Sequence, residues 1–377
     1  MEYLQLYNIS ENGFLPQEQP LTRLEEYYEP WEMLMDNLPV LNQKGELREQ
    51  VDKLPVLGLD RLKSKRDYQR SYVILTLLTN SYVWCKGVNN VPSKLPKALS
   101  LPLWQVSNIL GITPILTHAA VDLYNWKLKD PTGEIVLDNL DTLHTMTGTK
   151  DESWFYLVMT AIEAKGGRIL KSMMEIWSEM KKDNNDVILI KLNEINRIVE
   201  EFCKIIIRMR EQCQPEIFYN VLRPYLAGWE NNKNLPNGLI YEGVSETPLQ
   251  YAGGSAAQSS LFQTLDSFMG VAHADPYFEK IKKYMPKEHT EFIEFVKNNI
   301  KFKDYVSSVN DTMLNESFNT CLTNLTKFRK LHLGLVYDYI KHFVKQNNYL
   351  AGKGTGGTDL MPFLSTAINE TRKANVK

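Results

Sequence analysis

The sequence predicts an all-α protein, mainly because its apolar residues recur with the period of a helix. Between residues 186 and 210 they repeat mostly at steps of three and four, which places them on one helical face. Similar patterns cover residues 70–82, 154–180, 258–269, 291–296 and 313–344. Alternating patterns typical of strands are short, so helices are expected to build the whole fold.

The first part of the chain is expected to form a small helical domain, residues 1–147. Prolines at Pro92, Pro96 and Pro102 predict short, interrupted helices there. The larger domain, residues 148–377, carries the long periodic segments. Between the two, Thr149 and Glu152 have the S/T-x-x-E spacing in which a hydroxyl and a carboxylate satisfy the first N–H groups of a helix. Glycine- or asparagine-rich stretches at 231–238, 251–257 and 351–358 are expected to be connecting loops.

Composition excludes several classes of protein. The 377 residues contain 43 Lys+Arg and 45 Asp+Glu, a formal net charge of −2, which argues against a nucleic-acid or membrane-surface partner. Four scattered cysteines form no C-x-x-C pair, so a disulfide framework is not expected and a reducing compartment fits. No signal peptide or membrane-spanning run is present in the sequence. A cytoplasmic monomer is therefore expected.

Common catalytic motifs are missing. The glycine-rich run GKGTGGT at 352–358 lacks the order of a phosphate-binding loop, and GGSAA at 253–257 lacks the G-x-S-x-G order of a hydrolase nucleophile. The six histidines include no H-x-x-x-H pair. A P-loop nucleotide-binding protein, an α/β-hydrolase and a zincin metalloprotease are therefore not expected.

One histidine stands in an unusual position. His332 lies within an apolar helical stripe that includes Phe328 and Leu335. It can be a core histidine that only hydrogen-bonds a neighbour. Alternatively it can bind the iron of a haem, since a proximal histidine needs an apolar wall and one coordinating nitrogen. Periodicity alone leaves both interpretations open.

Several segments, taken together and in order, point to one family. They are GFLP at 13–16, YVW at 82–84, NW at 125–126, KDP at 129–131, LRPYLAGW at 222–229, GLIYEG at 238–243, AGGSAAQSS at 252–260, LHL at 331–333 and KGTGGTDLM at 353–361. At this spacing they resemble the indoleamine 2,3-dioxygenases, haem enzymes that open the indole ring of tryptophan. The GGSA and GTGGTD segments are the most specific part of the resemblance, which runs from about residue 13 to residue 364.

The resemblance implies a cofactor and its site. Haem b is expected between the small domain and the large domain, with His332 as the proximal iron ligand. Arg329 and Asp266 match a buried pair that in the family supports the ligand helix and tunes the iron. An ordinary salt bridge between helices is the other interpretation of this pair.

The resemblance also implies how the substrate is held. Arg223 matches the arginine that clamps the amino-acid carboxylate through two parallel N–H donors. Thr355 matches the hydroxyl of a glycine-rich loop that closes over the substrate. The other matching positions are two aromatic residues against the indole and a loop of small residues above the haem: Phe155, Phe218, Gly254, Ser255 and Ala256.

Four pocket positions depart from the vertebrate pattern. Met159 stands where the vertebrate enzymes have a small serine near the bound oxygen, and His118 replaces a pocket tyrosine. His118 can be a pocket-wall residue, a hydrogen-bond donor to bound oxygen, or a competitor for the iron. Tyr219 and Ala227 replace a phenylalanine and a serine. These changes bear on catalytic efficiency and substrate preference.

The expected activity is addition of O2 across the indole C2–C3 bond of L-tryptophan to give N-formylkynurenine, with an electron donor that keeps the iron ferrous. An oxygen-binding protein, like the myoglobin of some molluscs, and a low-efficiency paralogue are the alternatives. Signalling through paired phosphotyrosines is a third function, but one motif position is Leu103 and only Tyr241 remains of the pair.

Overall fold

The α-helices dominate the structure, a computed structural model that describes residues 2–343, 354–356 and 359–377. The predicted all-α class is confirmed. In chain order the helices are α1 (Glu2–Leu6), α2 (Glu29–Asp36), α3 (Leu38–Lys44), α4 (Leu47–Val51), α5 (Lys65–Trp84), α6 (Lys97–Leu110), α7 (Lys150–Met180), α8 (Asn185–Ile206), α9 (Met209–Gln212), α10 (Pro215–Ile217), α11 (Arg223–Leu226), α12 (Ser260–Phe268), α13 (Tyr277–Ile281), α14 (Lys287–Asn299), α15 (Phe302–Val309), α16 (Thr312–Tyr339) and α17 (Leu360–Lys373).

Short elements connect these helices. Two π turns and five 3-10 turns are Ala119–Leu123, Phe218–Leu222, Glu26–Tyr28, Leu137–Asn139, Ala256–Gln258, Lys282–Tyr284 and Lys341–Phe343 in the described residues. The strands β1 (Lys94–Leu95) and β4 (Ile240–Tyr241) pair in parallel, with Lys94 opposite Ile240. The strands β2 (Trp126–Leu128) and β3 (Leu140–Thr142) pair antiparallel, with Lys127 opposite Asp141. Such short strands agree with the weak strand patterns in the sequence.

The long helices form the scaffold of the site. Helix α8 packs against both α7 and α16, and α17 packs against α16. The apolar stripe of α8 is buried as its periodicity predicts, and Leu192 and Phe202 are completely inaccessible. Helix α5 is buried along most of its length because α2, α6 and the π turn Ala119–Leu123 pack around it. No helix in the described ranges combines the length and apolarity needed to cross a bilayer.

Two long helices end earlier than predicted. The helix expected over residues 186–210 divides into α8 and α9, and at the break the Arg208 carbonyl accepts a hydrogen bond from the Trp154 indole, 2.6 Å away. The helix expected over 313–344 ends at Tyr339, whose hydroxyl donates to the Cys213 carbonyl at 2.5 Å. Both ends are anchored by residues far away in the chain, so periodicity could not locate them.

Pro102 does not interrupt a helix, contrary to the prediction. It lies inside α6, while Pro96 stands at the N-cap of that helix, where a missing N–H costs little. Burial of Leu99 and Leu103 against α5 offsets the hydrogen bond that Pro102 cannot make.

The predicted capping box at the start of α7 is half formed. The Thr149 hydroxyl accepts a hydrogen bond from the Glu152 N–H at 3.2 Å, as predicted. The Glu152 carboxylate turns instead to the N–H groups of Met146 and Thr147, each at 2.7 Å, and to the hydroxyl of Tyr156. It therefore orders the loop before α7, and the Thr149 N–H donates to the Thr147 hydroxyl instead.

Residues 3–15 pack on helices that follow residue 148. The ring centres of Tyr3 and Trp177 are 5.0 Å apart, and Asn8 hydrogen-bonds Glu288. A Cβ on Gly167 of α7 would lie 2.6 Å from the Gly13 nitrogen, so the two backbones can meet only without side chains. The division into 1–147 and 148–377 stays a prediction, and this arm extends along the second of those regions.

Candidate functional site

A cavity with an empty volume of about 1190 Å³, including its mouth, is lined by six separated parts of the chain. An adjoining cavity shares Met159 and His332 with it, so the two surround the His332 side chain. Ten of the predicted site residues line the larger cavity: His118, Phe155, Met159, Phe218, Arg223, Gly254, Ser255, Ala256, His332 and Thr355. Two more, Asp266 and Arg329, line the adjoining one.

Helix α16 presents His332 to the cavity on the same face as Leu335 and Tyr339. Its ring makes no hydrogen bond to any residue in the described ranges. Burial, followed by the charge of Arg329, lowers the pKa of His332 to about 4. The imidazole is therefore neutral at pH 7 and keeps a lone pair, as a single axial ligand to haem iron requires.

The predicted pair behind His332 is formed. Arg329 lies one turn before His332 on α16, and its Nη2 is 2.6 and 2.5 Å from the two carboxylate oxygens of Asp266 on α12. Burial raises the pKa of Asp266, but Arg329 and His273 outweigh it and hold the pKa below its usual value. The carboxylate is thus ionised, and the pair ties α12 to the helix that carries His332.

Arg223 and the two phenylalanines form another part of the wall. The π turn Phe218–Leu222 leads directly into α11, which begins at Arg223. Arg223 is only 1% exposed. The Phe155 and Phe218 rings are 4.9 Å apart at an angle of 43°, which leaves an aromatic surface beside the guanidinium.

Tyr219 does not line either cavity. Its ring centre is 5.1 Å from the Arg223 guanidinium carbon and 5.2 Å from the ring centre of Phe343. Tyr219, a pocket position in the sequence analysis, lies against the arginine. A cation on an aromatic face is stabilised there, so Tyr219 supports the orientation of Arg223.

The glycine-rich segment docks on the loop of small residues. The Gly253 N–H donates to the Thr355 carbonyl at 3.1 Å, and the Thr355 hydroxyl donates to the Gly254 carbonyl. A Cβ on Gly253 would lie 2.3 Å from the Leu226 carbonyl oxygen and 2.4 Å from the Gly228 nitrogen, so only glycine fits. Residues 351–353, 357 and 358 of the predicted loop lie outside the described residues.

His118 is held between two carboxylates. Its Nδ1 is 2.6 Å from Asp122 and its Nε2 is 2.9 Å from Glu163, which also accepts a hydrogen bond from the Ser259 hydroxyl at 2.5 Å. Burial alone would lower the pKa of His118, but Asp122 and Glu163 outweigh it and raise it to about 10. The ring is therefore an imidazolium that donates from both nitrogens.

This geometry favours one interpretation of His118. A doubly engaged imidazolium has no lone pair for iron and no spare N–H for oxygen, as expected of a pocket-wall residue. Asp122 and Glu163 were missed by sequence reasoning. The i,i+4 spacing of His118 and Asp122 on one helical turn is the pattern that could have revealed the first of them.

Replacing His118 with leucine should lower the free energy of unfolding by about 3–5 kcal/mol at pH 7, because two buried carboxylates lose their cation. This deficit should shrink as pH rises, since a histidine with a raised pKa stabilises below its unfolded value of about 6.5 and loses that contribution by about 10. Urea denaturation across pH measures this.

His289→Leu is the matched control. His289 is also buried, but burial lowers its pKa to about 3, and its Nδ1 lies 3.2 Å from the Ser260 hydroxyl, with no carboxylate partner among the described residues. Its replacement should cost about 1–2 kcal/mol at pH 7. Equal losses for the two variants would contradict the charged cluster at His118.

Tyr241 is not available for modification in the folded protein. It is completely buried in β4, and its hydroxyl donates to the Pro114 carbonyl at 2.8 Å. Leu103, at the other motif position, is buried too. Both observations argue against the phosphotyrosine function.

Comparisons with known proteins point to the family that the sequence segments suggested. A family model described as indoleamine 2,3-dioxygenase matches residues 3–374. The chain is 34% identical to indoleamine 2,3-dioxygenase 1 of Mus musculus over 387 residues, which cover 98% of this chain and 95% of that relative. It is 35% identical to indoleamine 2,3-dioxygenase nanC of Aspergillus nanangensis over 401 residues, with 98% and 97% covered. It is also 31% identical to a protein named myoglobin from Haliotis madaka over 379 residues, with 98% of both covered. The chain belongs to the indoleamine 2,3-dioxygenase family.

Proposed function

We propose that this protein is a haem-dependent dioxygenase that inserts both atoms of O2 across the indole C2–C3 bond of L-tryptophan, giving N-formylkynurenine. The observation that carries the proposal is that Arg223 and His332 line one apolar cavity. One offers a paired set of donors for a carboxylate and the other offers a neutral nitrogen for iron. The names of the Mus musculus and Aspergillus nanangensis relatives support this reading.

The residues of the cavity fit haem b. The His332 ring has no hydrogen-bond partner among the described residues, and Asp266 and Arg329 hold its helix from behind. No group of three His, Cys, Asp or Glu in the described ranges could hold a bare metal ion, whereas haem iron needs only one such ligand. When bound, the haem would supply the iron that activates dioxygen toward the indole ring.

The chain's own residues position the substrate. Arg223 would donate two N–H hydrogen bonds to the carboxylate, and Phe155 and Phe218 would pack on the indole. The segment at Thr355 would cover the amino and carboxylate groups and exclude water. Met159 brings a thioether where the vertebrate pattern has a hydroxyl, so orientation by Arg223 and the aromatic pair carries more of the task. An external electron donor would keep the iron ferrous.

An oxygen carrier is the second candidate, because one relative is named myoglobin. Such a protein would need His332 but no clamp for a carboxylate. The placement of Arg223 against the Tyr219 ring and the docking of Thr355 on Gly254 favour the dioxygenase. A low-efficiency paralogue with the same residues differs only in rate.

Isotope labelling tests the proposal. Reduced, haem-loaded protein with L-tryptophan and 18O2 should give N-formylkynurenine that carries two labelled oxygens, read by mass spectrometry. A parallel reaction with unlabelled O2 in H2 18O controls for exchange with water. Reversible oxygen binding with untouched tryptophan would contradict the dioxygenase and favour the carrier.

The cellular setting is part of the same proposal. All four cysteines are unpaired, and three of them are buried. That state fits a reducing compartment, and we place the protein in the cytoplasm as a monomer.

A further inference from the structure

A closed group of four charged side chains lies behind the His332 helix. Asp266 binds Arg329 through both carboxylate oxygens, and its Oδ2 is also 2.9 Å from His273 Nε2. On the other side of the ring, His273 Nδ1 is 2.6 Å from Glu370. All four are largely buried, with side chains between 6% and 13% exposed.

Geometry sets the charge of His273. A neutral imidazole has one N–H, but here a carboxylate oxygen faces each nitrogen, so both must carry hydrogen to donate. The group then holds two cations and two anions and is neutral overall. Burial lowers the pKa of His273, but Asp266 and Glu370 outweigh it and leave it raised. Removing the His273 proton would leave Glu370 or Asp266 facing a lone pair.

Glu370 brings α17 into this group. Its second oxygen accepts the Ala274 N–H at 2.9 Å, and the next residue, Thr371, accepts a hydrogen bond from Arg329. Phe278 joins the two sides, since its ring lies 3.9 Å from the His273 ring and 5.0 Å from that of Phe363 on α17. Helix α17 is thus fixed to α12 and α16 by charge as well as by packing.

The start of α17 lies next to the segment over the cavity. Helix α17 begins at Leu360, four residues after Gly356, whose carbonyl accepts a hydrogen bond from the Tyr277 hydroxyl at 3.4 Å. The same segment, residues 354–356, docks on Gly253 and Gly254 through Thr355. Since only three residues separate Gly356 from Leu360, we expect a shift of α17 to be felt at this docking and at the contacts of Arg329, one turn from His332.

We propose that His273 is a positioning residue that couples the segment 354–356, through α17, to the helix that carries His332. The part concerning iron and substrate rests on the proposed function, whereas the anchoring of α17 does not. With His273 protonated, docking of the segment on Gly253 and Gly254 and the orientation of His332 favour one another. Such coupling is reciprocal, so a change at either end is felt at the other.

Hydrogen exchange tests the anchoring in the full chain, with and without haem. In His273→Gln the side chain is uncharged and can donate from one nitrogen only. The backbone amides of residues 360–373 should therefore exchange hydrogen about tenfold faster, which corresponds to about 1.4 kcal/mol. His144→Gln, on a histidine outside the group, should leave this region unchanged. Unchanged exchange in His273→Gln would overturn the proposal.

Two further variants distinguish an effect of the lost charge from a general effect on folding. His273→Arg restores a double donor and a positive charge and should return the exchange toward that of the wild type. Glu370→Gln, nearer the surface, should loosen residues 360–373 without disturbing Asp266 and Arg329. Equal loosening by His273→Arg and His273→Gln would contradict an ionic role.

Resonance Raman spectroscopy tests the coupling to iron. In the ferrous protein, L-tryptophan should shift the iron–histidine stretch of the wild type and of His273→Arg. In His273→Gln that shift should be lost, although L-tryptophan still binds within about threefold of its wild-type affinity, a difference below about 0.7 kcal/mol. In the wild type the shift of the iron–histidine stretch should also become smaller as pH rises and His273 loses its proton. The charged groups around His273 are Asp266, Glu370 and Arg329.

The outcomes distinguish this inference from the proposed function. A full shift in His273→Gln would overturn the coupling while leaving the dioxygenase intact. A chain that binds no haem would overturn the proposed function, and hydrogen exchange of the haem-free protein would still decide whether His273 anchors α17.

Discussion

Replacing His332 with alanine should abolish haem retention. The ring is the neutral nitrogen that faces the cavity, and burial and Arg329 together keep its pKa at about 4. Without it the apolar walls remain, but the iron loses its only protein ligand in the described part of the cavity. We expect haem affinity to fall by about 100-fold or more, about 2.8 kcal/mol, measured by absorbance titration and by haem content after gel filtration.

Rescue by a small ligand provides the control. In His332→Gly, added imidazole should fill the space of the missing ring and restore part of the haem absorbance. Circular dichroism should show unchanged helix content in both variants, because His332 makes no hydrogen bond to the described residues. A His332→Ala protein that keeps haem with an unchanged spectrum would remove the histidine from the iron site.

Replacing Arg223 with alanine should weaken L-tryptophan binding by about 100-fold, since charge-assisted hydrogen bonds from a buried guanidinium are worth about 2–5 kcal/mol. Tryptamine, which lacks the carboxylate, should lose at most about threefold, or about 0.7 kcal/mol. Arg223→Lys keeps the charge but not the paired donors, so it should lie between the wild type and Arg223→Ala. Optical titration of the haem-loaded protein with each ligand measures these affinities.

Arg210 offers a matched arginine. It is half exposed and pairs with Asp338 at 2.6 Å, and it does not line the cavity. Arg210→Ala should leave both affinities within about twofold, because exposed pairs contribute little. Equal losses of L-tryptophan and tryptamine in Arg223→Ala would remove the carboxylate role from Arg223.

Helix interiors were predictable from sequence, whereas several of their ends were not. The buried stripe of α8 follows from periodicity alone, because period and burial are local properties of a helix. The break after α8 depends on Trp154, more than fifty residues earlier, which takes the Arg208 carbonyl. Likewise Pro102 reads as a helix breaker until the packing of α6 on α5 is known.

Site residues show the same division. Motifs and family resemblance pointed to Arg223, His332 and Thr355, and the fold brings them to one cavity. Tyr219 was predicted as a pocket residue, and the fold adds that the π turn at 218–222 places its ring against Arg223. A residue's order in a motif does not state which way its side chain points.

By itself the sequence determined the helical class and the positions of the long helices, because these depend on periodicity. Its resemblance to one family supplied the candidate iron and carboxylate ligands. Only the tertiary structure decided the charge state of the histidines. His118 meets Glu163 across 45 positions and His273 meets Glu370 across 97. Because these side chains are buried, the carboxylates set the charge of each histidine. In a medium of low polarity an imidazole beside two carboxylates is stable only as a cation.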